Sequence, residues 1–485
     1  MNKPRVILRH CDEYDPARIA QIIGEGMDEL GVKPSGCTMV KPNVVIAHRE
    51  FFNHAFTRAE FLDGVLDAIR ARSEDVTELT VGERCGLTIP TRYALAMADY
   101  PAVMRKHGVR AEYFDEGAQV PFVLKHPDAL RKLVLIPEGV ASCDCLINLP
   151  KFKAHPWTKV TFALKNYIGI QHDPQRLIDH DHMLHTKIAD LQEVIAPGFI
   201  AIDGIIAGER TMLTPTPYPL HLIVMGVNPV AVDVVSSHIL GLEAGEVDHI
   251  RISAERGYGP LLLKDIEITG DVTLMEAQQR AAKLQLTLER VEEIFNNKSN
   301  ITTYVGPPPD TYDYCWGGCP GALYEAIQII EAFQPGVYNE VRPMHMVMGA
   351  YEGEIDAPEG EPVLFMGDCT KWEGKVRGEP VKVSFQYIDR KKLDPYRAAS
   401  GDVVAKMVGV IANLIRHRGR SVIRVKGCPV SVAEYVLYLS WLGKVTNPYL
   451  HPKVLFAFVY YWALAKLAAF WRAIKRLFSR KRAPA

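Results

Sequence analysis

From residue 4 to about 270, short β-branched runs alternate with stretches whose apolar positions recur at helical spacing. Residues 6–8, 38–41, 79–82, 133–136, 146–149, 200–203 and 222–226 predict strands. Residues 17–30, 58–71, 92–107 and 230–240 predict helices between them. Such alternation predicts an α/β domain with a mainly parallel sheet over residues 1–273. A helix-favouring stretch, 274–295, runs into Asn-Asn-Lys-Ser-Asn and then Gly306-Pro307-Pro308, which predicts a helical linker over 274–299. A second, smaller α/β domain is expected over 300–447, with strands near 362–366 and 422–425 and helices near 322–333 and 403–417. Residues 448–485 follow as an apolar and basic helix.

Charge removes some functions. The 56 basic and 57 acidic residues leave a net charge of −1, so no global field favours nucleic acid. No Gly-x-Gly-x-x-Gly follows the first strand and no Walker loop occurs, so ordinary dinucleotide or ATP binding has no support. The first residues lack the apolar stretch of a secretory signal, and a cytoplasmic location is expected.

Nine cysteines fall into two unlike sets. Cys11, Cys37, Cys85, Cys143 and Cys145 lie in or beside strand-like segments, where a thiol behaves as a small buried hydrophobe. The others stand in turns rich in glycine and proline: Cys315-Trp-Gly-Gly-Cys319-Pro, Gly367-Asp-Cys369 and Gly427-Cys428-Pro429. Soft thiolates converging from loops suit a 4Fe–4S cluster or a tetrahedral zinc. Cys315, Cys319, Cys369 and Cys428 are therefore the expected metal ligands. Their order resembles the cluster domain of the nickel–iron hydrogenase small subunit and the quinone-proximal subunit of complex I. That resemblance implies a 4Fe–4S cofactor, an electron-donor protein as partner and an oxidoreductase or electron-transfer role. The close pair here is spaced by three residues, where the hydrogenase pattern usually has two.

A second group of residues suits an anion. Lys41 and Asn43 end one strand; Lys151, Lys153 and His155 end another; Lys165 and Asn166 open the next helical segment. Ligands of open α/β sheets bind beyond the carboxyl ends of strands, so these motifs are expected to face one crevice holding a small-molecule substrate. Lys153, His155 and Asp203 are the candidates for catalysis, and Lys41, Asn43, Lys151, Lys165, Asn166 and Asp233 for ligand binding. Asp233, in a helix opened by Asn228-Pro229, also suits the helix dipole. His172, His180, His182 and His185 read as solvated loop residues, with ligation or proton shuttling as the alternative.

These segments resemble the family called domain of unknown function 362. The matching stretches are Lys41-Pro-Asn43, Leu149 to His155, Thr161 to Asn166 with Gly169, Arg176 with His180, Ala189-Asp-Leu191, Ile202-Asp-Gly204 and Asn228 to Asp233. The resemblance implies a frequent association with cluster-bearing segments and little about chemistry. Where family members tend to have Glu-Gly-x-Gly-Pro, this chain has Gly208-Glu-Arg-Thr-Met-Leu-Thr-Pro.

Residues 454–471 carry one charge, Lys466, and Arg472, Lys475, Arg476, Arg480, Lys481 and Arg482 follow. The length permits a tilted span, yet the basic residues gather on one side, the layout of a helix lying in a membrane interface. A peripheral or monotopic protein on the cytoplasmic face, held to membrane lipid by this helix, is expected; a span and a helix packing on protein are the alternatives. The function expected from the whole is a membrane-associated iron–sulfur oxidoreductase or electron-transfer protein for an anionic or lipid- or quinone-like substrate. A non-redox enzyme or binding protein with a structural metal is the competing class.

Overall fold

Alternation along the strands sorts their side chains onto two faces of the large sheet. Ile7, Val40, Val81, Ile147 and Ile223 are buried with Ile19, Ile22, Phe61 and Val65 of the helices Pro16–Leu30 and Ala59–Arg72. Their neighbours Leu8, Met39, Leu146, Ile202 and Val224 enter a second core with Val230, Val234 and Val235 of the helix Pro229–Ile239. Period-two alternation with both faces apolar is what a sheet covered on each side requires. The computed structural model describes residues 3–73, 75–286, 289–308, 311, 314–385, 402–420 and 422–480, without the side chains of 473 and 475–480.

The strands in chain order are β1 (Arg5–His10), β2 (Gly36–Pro42), β3 (Val76–Glu83), β4 (Arg110–Tyr113), β5 (Gln119–Val123), β6 (Leu133–Pro137), β7 (Cys145–Leu149), β8 (Lys151–His155), β9 (Lys159–Thr161), β10 (Phe199–Glu209), β11 (Thr216–Gly226) and β12 (Glu267–Gly270). The large sheet has the order β12-β1-β11-β10-β7-β2-β3-β4, with β8 and β9 attached through β10. It is parallel except where β11 meets β1 and β10 and where β9 meets β8. The strand expected at 133–136 forms, but as β6 of a separate antiparallel hairpin with β5.

Two helical expectations need correction. The helix at 92–107 is two, Thr91–Met97 and Tyr100–His107, because Asp99 takes a left-handed φ of 63° and Pro101 follows at the new helix's start. The linker helix is also broken, into Leu274–Ala281 and Val291–Phe295. Between them Gln285 accepts the Arg210 N–H and donates its own to Glu209, so that segment pairs with the end of β10 instead of coiling.

In the second domain β13 (Ile301–Val305), β14 (Met344–Ala350), β15 (Val363–Val376) and β17 (Val422–Val425) run parallel, and β16 (Glu379–Val383) pairs antiparallel with the far half of β15. The register aligns Val305, Met348, Met366 and Val425 in one row. The two domains share one core, since Leu323 and Ile327 of the helix Cys319–Phe333 join the cluster that contains Leu8 and Ile202.

The last helix, Pro452–Arg480, lies on this body. Val454 and Phe458 pack with Tyr93, Lys466 pairs with Asp402, and Arg472 reaches Glu116 at 3.4 Å. The basic side expected to meet headgroups therefore turns toward protein at Lys466 and Arg472, because carboxylates wait there. Lys475, Arg476, Arg480, Lys481 and Arg482 lie outside the described side chains.

Candidate functional site

Both sheets place their polar residues by one rule. In the large sheet β7, β2 and β3 are adjacent and parallel, with Lys41 beside Asn148, so Lys41, Asn43 and Glu83 emerge at neighbouring carboxyl ends. The helix Ala163–Asn166 stands over these ends, held by Asp233, whose carboxylate accepts the Ala163 and Leu164 N–H groups at 2.8 and 3.0 Å. Burial pushes the Asp233 carboxyl up to about 8, against the pull of those two bonds. Asp233 is thus spent on holding Lys165 and Asn166 in place, one helix away from the dipole the sequence suggests.

Lys41, Asn43, Lys153, His155, Lys165 and Asn166 line a single small pocket, joined by Glu83 and Arg176. An amide chain fixes one wall: Asn43 Nδ2 donates to Asn166 Oδ1 at 3.1 Å, and Asn166 Nδ2 donates to Asn148 Oδ1 at 2.7 Å. Lys41 is buried and pairs with Glu83 at 3.0 Å. Gly169 is required beside this pair, because a Cβ there would stand 2.6 Å from Glu83 Oε1 and 3.0 Å from Lys41 Nζ. Lys153 donates to the carbonyls of Ala55 and Met212 at 2.6 and 3.0 Å. Among the described residues Lys165 Nζ has no hydrogen-bond or ion-pair partner. Burial, with Arg176 nearby, brings it down to about 7.

The tautomer of His155 follows from its contacts. Nδ1 accepts the N–H groups of Trp157 and Thr158 at 3.1 and 3.3 Å, so the ring hydrogen sits on Nε2. Nε2 is buried without a partner among the described residues, and burial holds the ring well below the usual imidazole range. A neutral N–H donor with no acceptor, beside an unpaired lysine and Arg176, gives the pocket donors in excess. That arrangement accepts an anion.

Lys151 and Asp203 are elsewhere. They form a buried ion pair at 2.8 Å, with the Tyr14 hydroxyl and the Arg58 N–H completing the carboxylate's bonds at 2.8 and 3.1 Å. Lys151, Lys153 and His155 alternate with Phe152 and Ala154 along β8, so strand alternation alone would keep the three together. The register shift between Asp203 and Gly208 separates them, leaving Lys151 on Asp203 while Lys153 and His155 border the pocket.

The second sheet gathers the thiols. Beyond the aligned row Val305, Met348, Met366 and Val425, the chain turns through Gly367 (φ 94°) and Gly427 (φ 141°), conformations that suit glycine. Cys315, Cys319, Cys369 and Cys428 then line one cavity, with Asp181 from the first domain. Cβ atoms at Gly318 and Gly367 would meet Cys315 Sγ at 2.5 Å and Cys319 Sγ at 2.9 Å, so glycine is what lets the backbone approach the sulfurs. The Val430 N–H points at Cys319 Sγ at 3.5 Å, and Cys428 Sγ lies 3.5 Å from Asp181 Oδ2. Burial pushes the Cys319 thiol up to about 12 and Cys315 well above its usual value, so without a cation to bind them these groups stay protonated.

Spacing bears on which group they suit. Among the described residues Asp63, Asp67 and His107 form the one trio of His, Cys, Asp or Glu ligand atoms lying within 4.8 Å of one another, so no three of these sulfurs are that close. Four sulfurs around one zinc would stand about 3.8 Å apart. A cubane interposes an iron between each thiolate and the centre and wants the wider spacing.

The sequence reading misses the residues that tie the sites together. His180 is wedged edge-on against Trp157 at 5.1 Å, and His185 faces His249 with ring nitrogens 3.2 Å apart. His180 and His185 are held between elements, not solvated, because Trp157 and His249 pack against their rings. Glu325, the buried carboxylate of the helix Cys319–Phe333 in the second domain, accepts the Met212 and Leu213 N–H groups at 3.1 and 3.3 Å. That bond fixes the very loop, 208–215, where the chain departs from the family pattern. A lone carboxylate among buried positions is the only signal the sequence offers for it.

Among solved structures the chain is similar to the lactate racemase apoprotein from Thermoanaerobacterium thermosaccharolyticum, with 11% identity, a TM-score of 0.32 and coverage of 70% of this chain and 68% of that one. It is also similar to a Thermotoga maritima protein, with 10% identity, a TM-score of 0.34 and coverage of 89% and 84%. A search of curated proteins gives no match. Residues 38–238, which hold the whole lysine, histidine and asparagine pocket except Glu325's support, match the family described as Domain of unknown function (DUF362).

Proposed function

We propose that this protein is an iron–sulfur oxidoreductase that works at a membrane surface on an anionic substrate. The observation that carries the reading is adjacency: one apolar cleft borders the cysteine cavity at Pro429 and the lysine pocket at Val45, Arg176 and Met212. Cys315, Cys319, Cys369 and Cys428 would hold a 4Fe–4S cluster, which supplies single electrons when bound. Lys165, Arg176 and the His155 Nε2–H bind and orient the anion. Asp233 and the asparagine chain keep Lys165 in place, and an unpaired lysine titrating near neutrality is suited to deliver a proton to a reduced product.

Membrane association is supported by two helices. Ten of the fourteen exposed large apolar side chains among the described residues belong to Val403–Arg416 and Pro452–Arg480. Val404, Val408, Ile411 and Ile415 form a stripe on the first, and Phe456, Val459, Tyr460, Leu467 and Phe470 a stripe on the second. Pro452–Arg472 is long and apolar enough to cross a membrane. Its inward face is nevertheless packed and ion-paired to the body, which favours a monotopic helix lying in the interface.

Anaerobic purification followed by absorption and electron paramagnetic resonance spectra, before and after dithionite, tests the redox reading. Broad visible absorption that bleaches on reduction is expected. Near-stoichiometric zinc without such absorption would leave only the non-redox reading.

A further inference from the structure

We infer that the cleft beneath the C-terminal helix holds the apolar chain of a membrane-borne, single-chain amphiphile whose anionic head lies against Arg176 and Lys165. The inference rests on the anion-pocket reading and adds the class of substrate. The cleft has a volume of about 180 Å³ and is built from three separate parts of the chain. Val45 and Ile89 come from the first domain, Val432 and Val436 from the second, and Val454 and Phe458 from the C-terminal helix. Its walls are overwhelmingly aliphatic and aromatic, which suits a hydrocarbon and gives a polar metabolite nothing to bind.

Polar atoms enter where the cleft meets the lysine pocket. The two cavities border one another along Val45, Arg176 and Met212, which line both. Near this junction the Trp157 Nε1–H is buried with no hydrogen-bond acceptor among the described residues, and the His155 Nε2–H waits in the pocket. Donors without acceptors at one side of an apolar cleft complement a molecule with a negative head and an uncharged tail. The C-terminal helix is also two-faced. Val454 and Phe458 close the cleft on its inner side, while Phe456, at 78% exposure, Val459 and Tyr460 point outward. An amphiphile already dissolved in a bilayer has its chain at the depth of that outer face, and passing beside the helix brings it into the cleft without crossing water.

The test uses the full-length protein on phosphatidylcholine vesicles with a palmitate that carries a diazirine near its methyl end. Labelling, assigned to single residues by fragmentation, is expected on Val432 and Phe458. Palmitate and farnesyl phosphate should both compete about tenfold better than hexadecanol, and their order tells whether the head is a carboxylate or a phosphate. Val432→Trp and, independently, Ile89→Trp fill the cleft from different domains and should abolish labelling. Near-ultraviolet circular dichroism and calorimetric sulfate binding report that the fold and the anion pocket persist in each. Label confined to the outward residues Phe456, Val459 and Tyr460, with sulfate still bound, overturns the chain assignment and leaves the anion pocket standing. Absent sulfate binding in the wild-type protein instead overturns the anion pocket and the head assignment with it.

Discussion

Lys466 of the C-terminal helix and Asp402, the N-cap of the helix Val403–Arg416, form an ion pair, and Trp462 Nε1 donates to the same carboxylate at 3.1 Å. One carboxylate thus ties together the two helices that carry most of the exposed large apolar side chains among the described residues. It also means that the apolar stripes, not the basic residues Lys466 and Arg472, face away from the body.

The membrane prediction follows from that orientation. Val408→Glu with Ile415→Glu, or Phe456→Glu with Phe470→Glu, should each lower partition onto vesicles by about tenfold or more, since each removes inserted hydrocarbon. Cosedimentation with phosphatidylcholine vesicles measures it. Outward substitutions are a cleaner probe than deletion after Asn447, which would also remove Tyr449, Val454 and Phe458 from their packing on Tyr93 and each other.

Serine at Cys315, Cys319, Cys369 or Cys428 should each strip most of the iron and the visible absorption. Alanine at Cys11 or Cys85, both buried thiols outside the cavity, should leave both unchanged. Iron and sulfide assays on the anaerobically purified variants decide this, and equal iron in the two sets would refute the ligand assignment.

Sulfate binding should weaken as pH rises through about 7, where Lys165 loses its proton. For one lysine the affinity falls about tenfold between pH 6 and 8. Sulfate does not titrate in this range, so calorimetry reads the protein alone, and Lys165→Met should bind weakly with a flatter profile. The linked effect on stability has the opposite sign. The unfolded lysine keeps its proton up to about 10.5, so between about 7 and 10.5 the unfolded chain binds more protons and this group's contribution to stability rises with pH.

Asp233→Ala should free the Ala163 and Leu164 N–H groups inside the core. Two buried donors left unsatisfied cost about 2–4 kcal/mol, read as a lower urea midpoint. Asp233→Asn should recover part of this. The wild-type carboxyl, raised to about 8, makes a contribution that is full below its unfolded value near 3.8 and declines as pH rises toward 8, so the asparagine variant should lose less stability over that window.

Much of the architecture was readable from the chain because it rests on local periodicity. The two-faced burial of β2, β7 and β10 is written in consecutive apolar residues, and the N-caps at Asp15 and Asn228, with Pro16 and Pro229 after them, mark where their helices begin. The four cysteines proposed as ligands were conspicuous for a similar reason: each stands within two residues of a glycine, and two of them are followed by proline. The break at Asp99, the hairpin of β5 with β6 and the pairing of Gln285 with Arg210 were not visible, since each depends on partners distant in sequence.

The sequence by itself determined which residue types were available: lysines, asparagines and a histidine near strand ends, four cysteines in glycine-rich turns, and an apolar helix at the end of the chain. Tertiary structure alone decided their uses. Lys151 and Lys153 are two apart in one strand, yet the first closes an ion pair with Asp203 while the second, beyond a register shift, borders the pocket. His155 became a donor because two backbone N–H groups occupy its other nitrogen, and Glu325 crossed from the second domain to hold the 208–215 loop. A side chain's charge and reach are properties of the residue, whereas its protonation and partners depend on what surrounds it, and those surroundings are assembled only when distant segments pack.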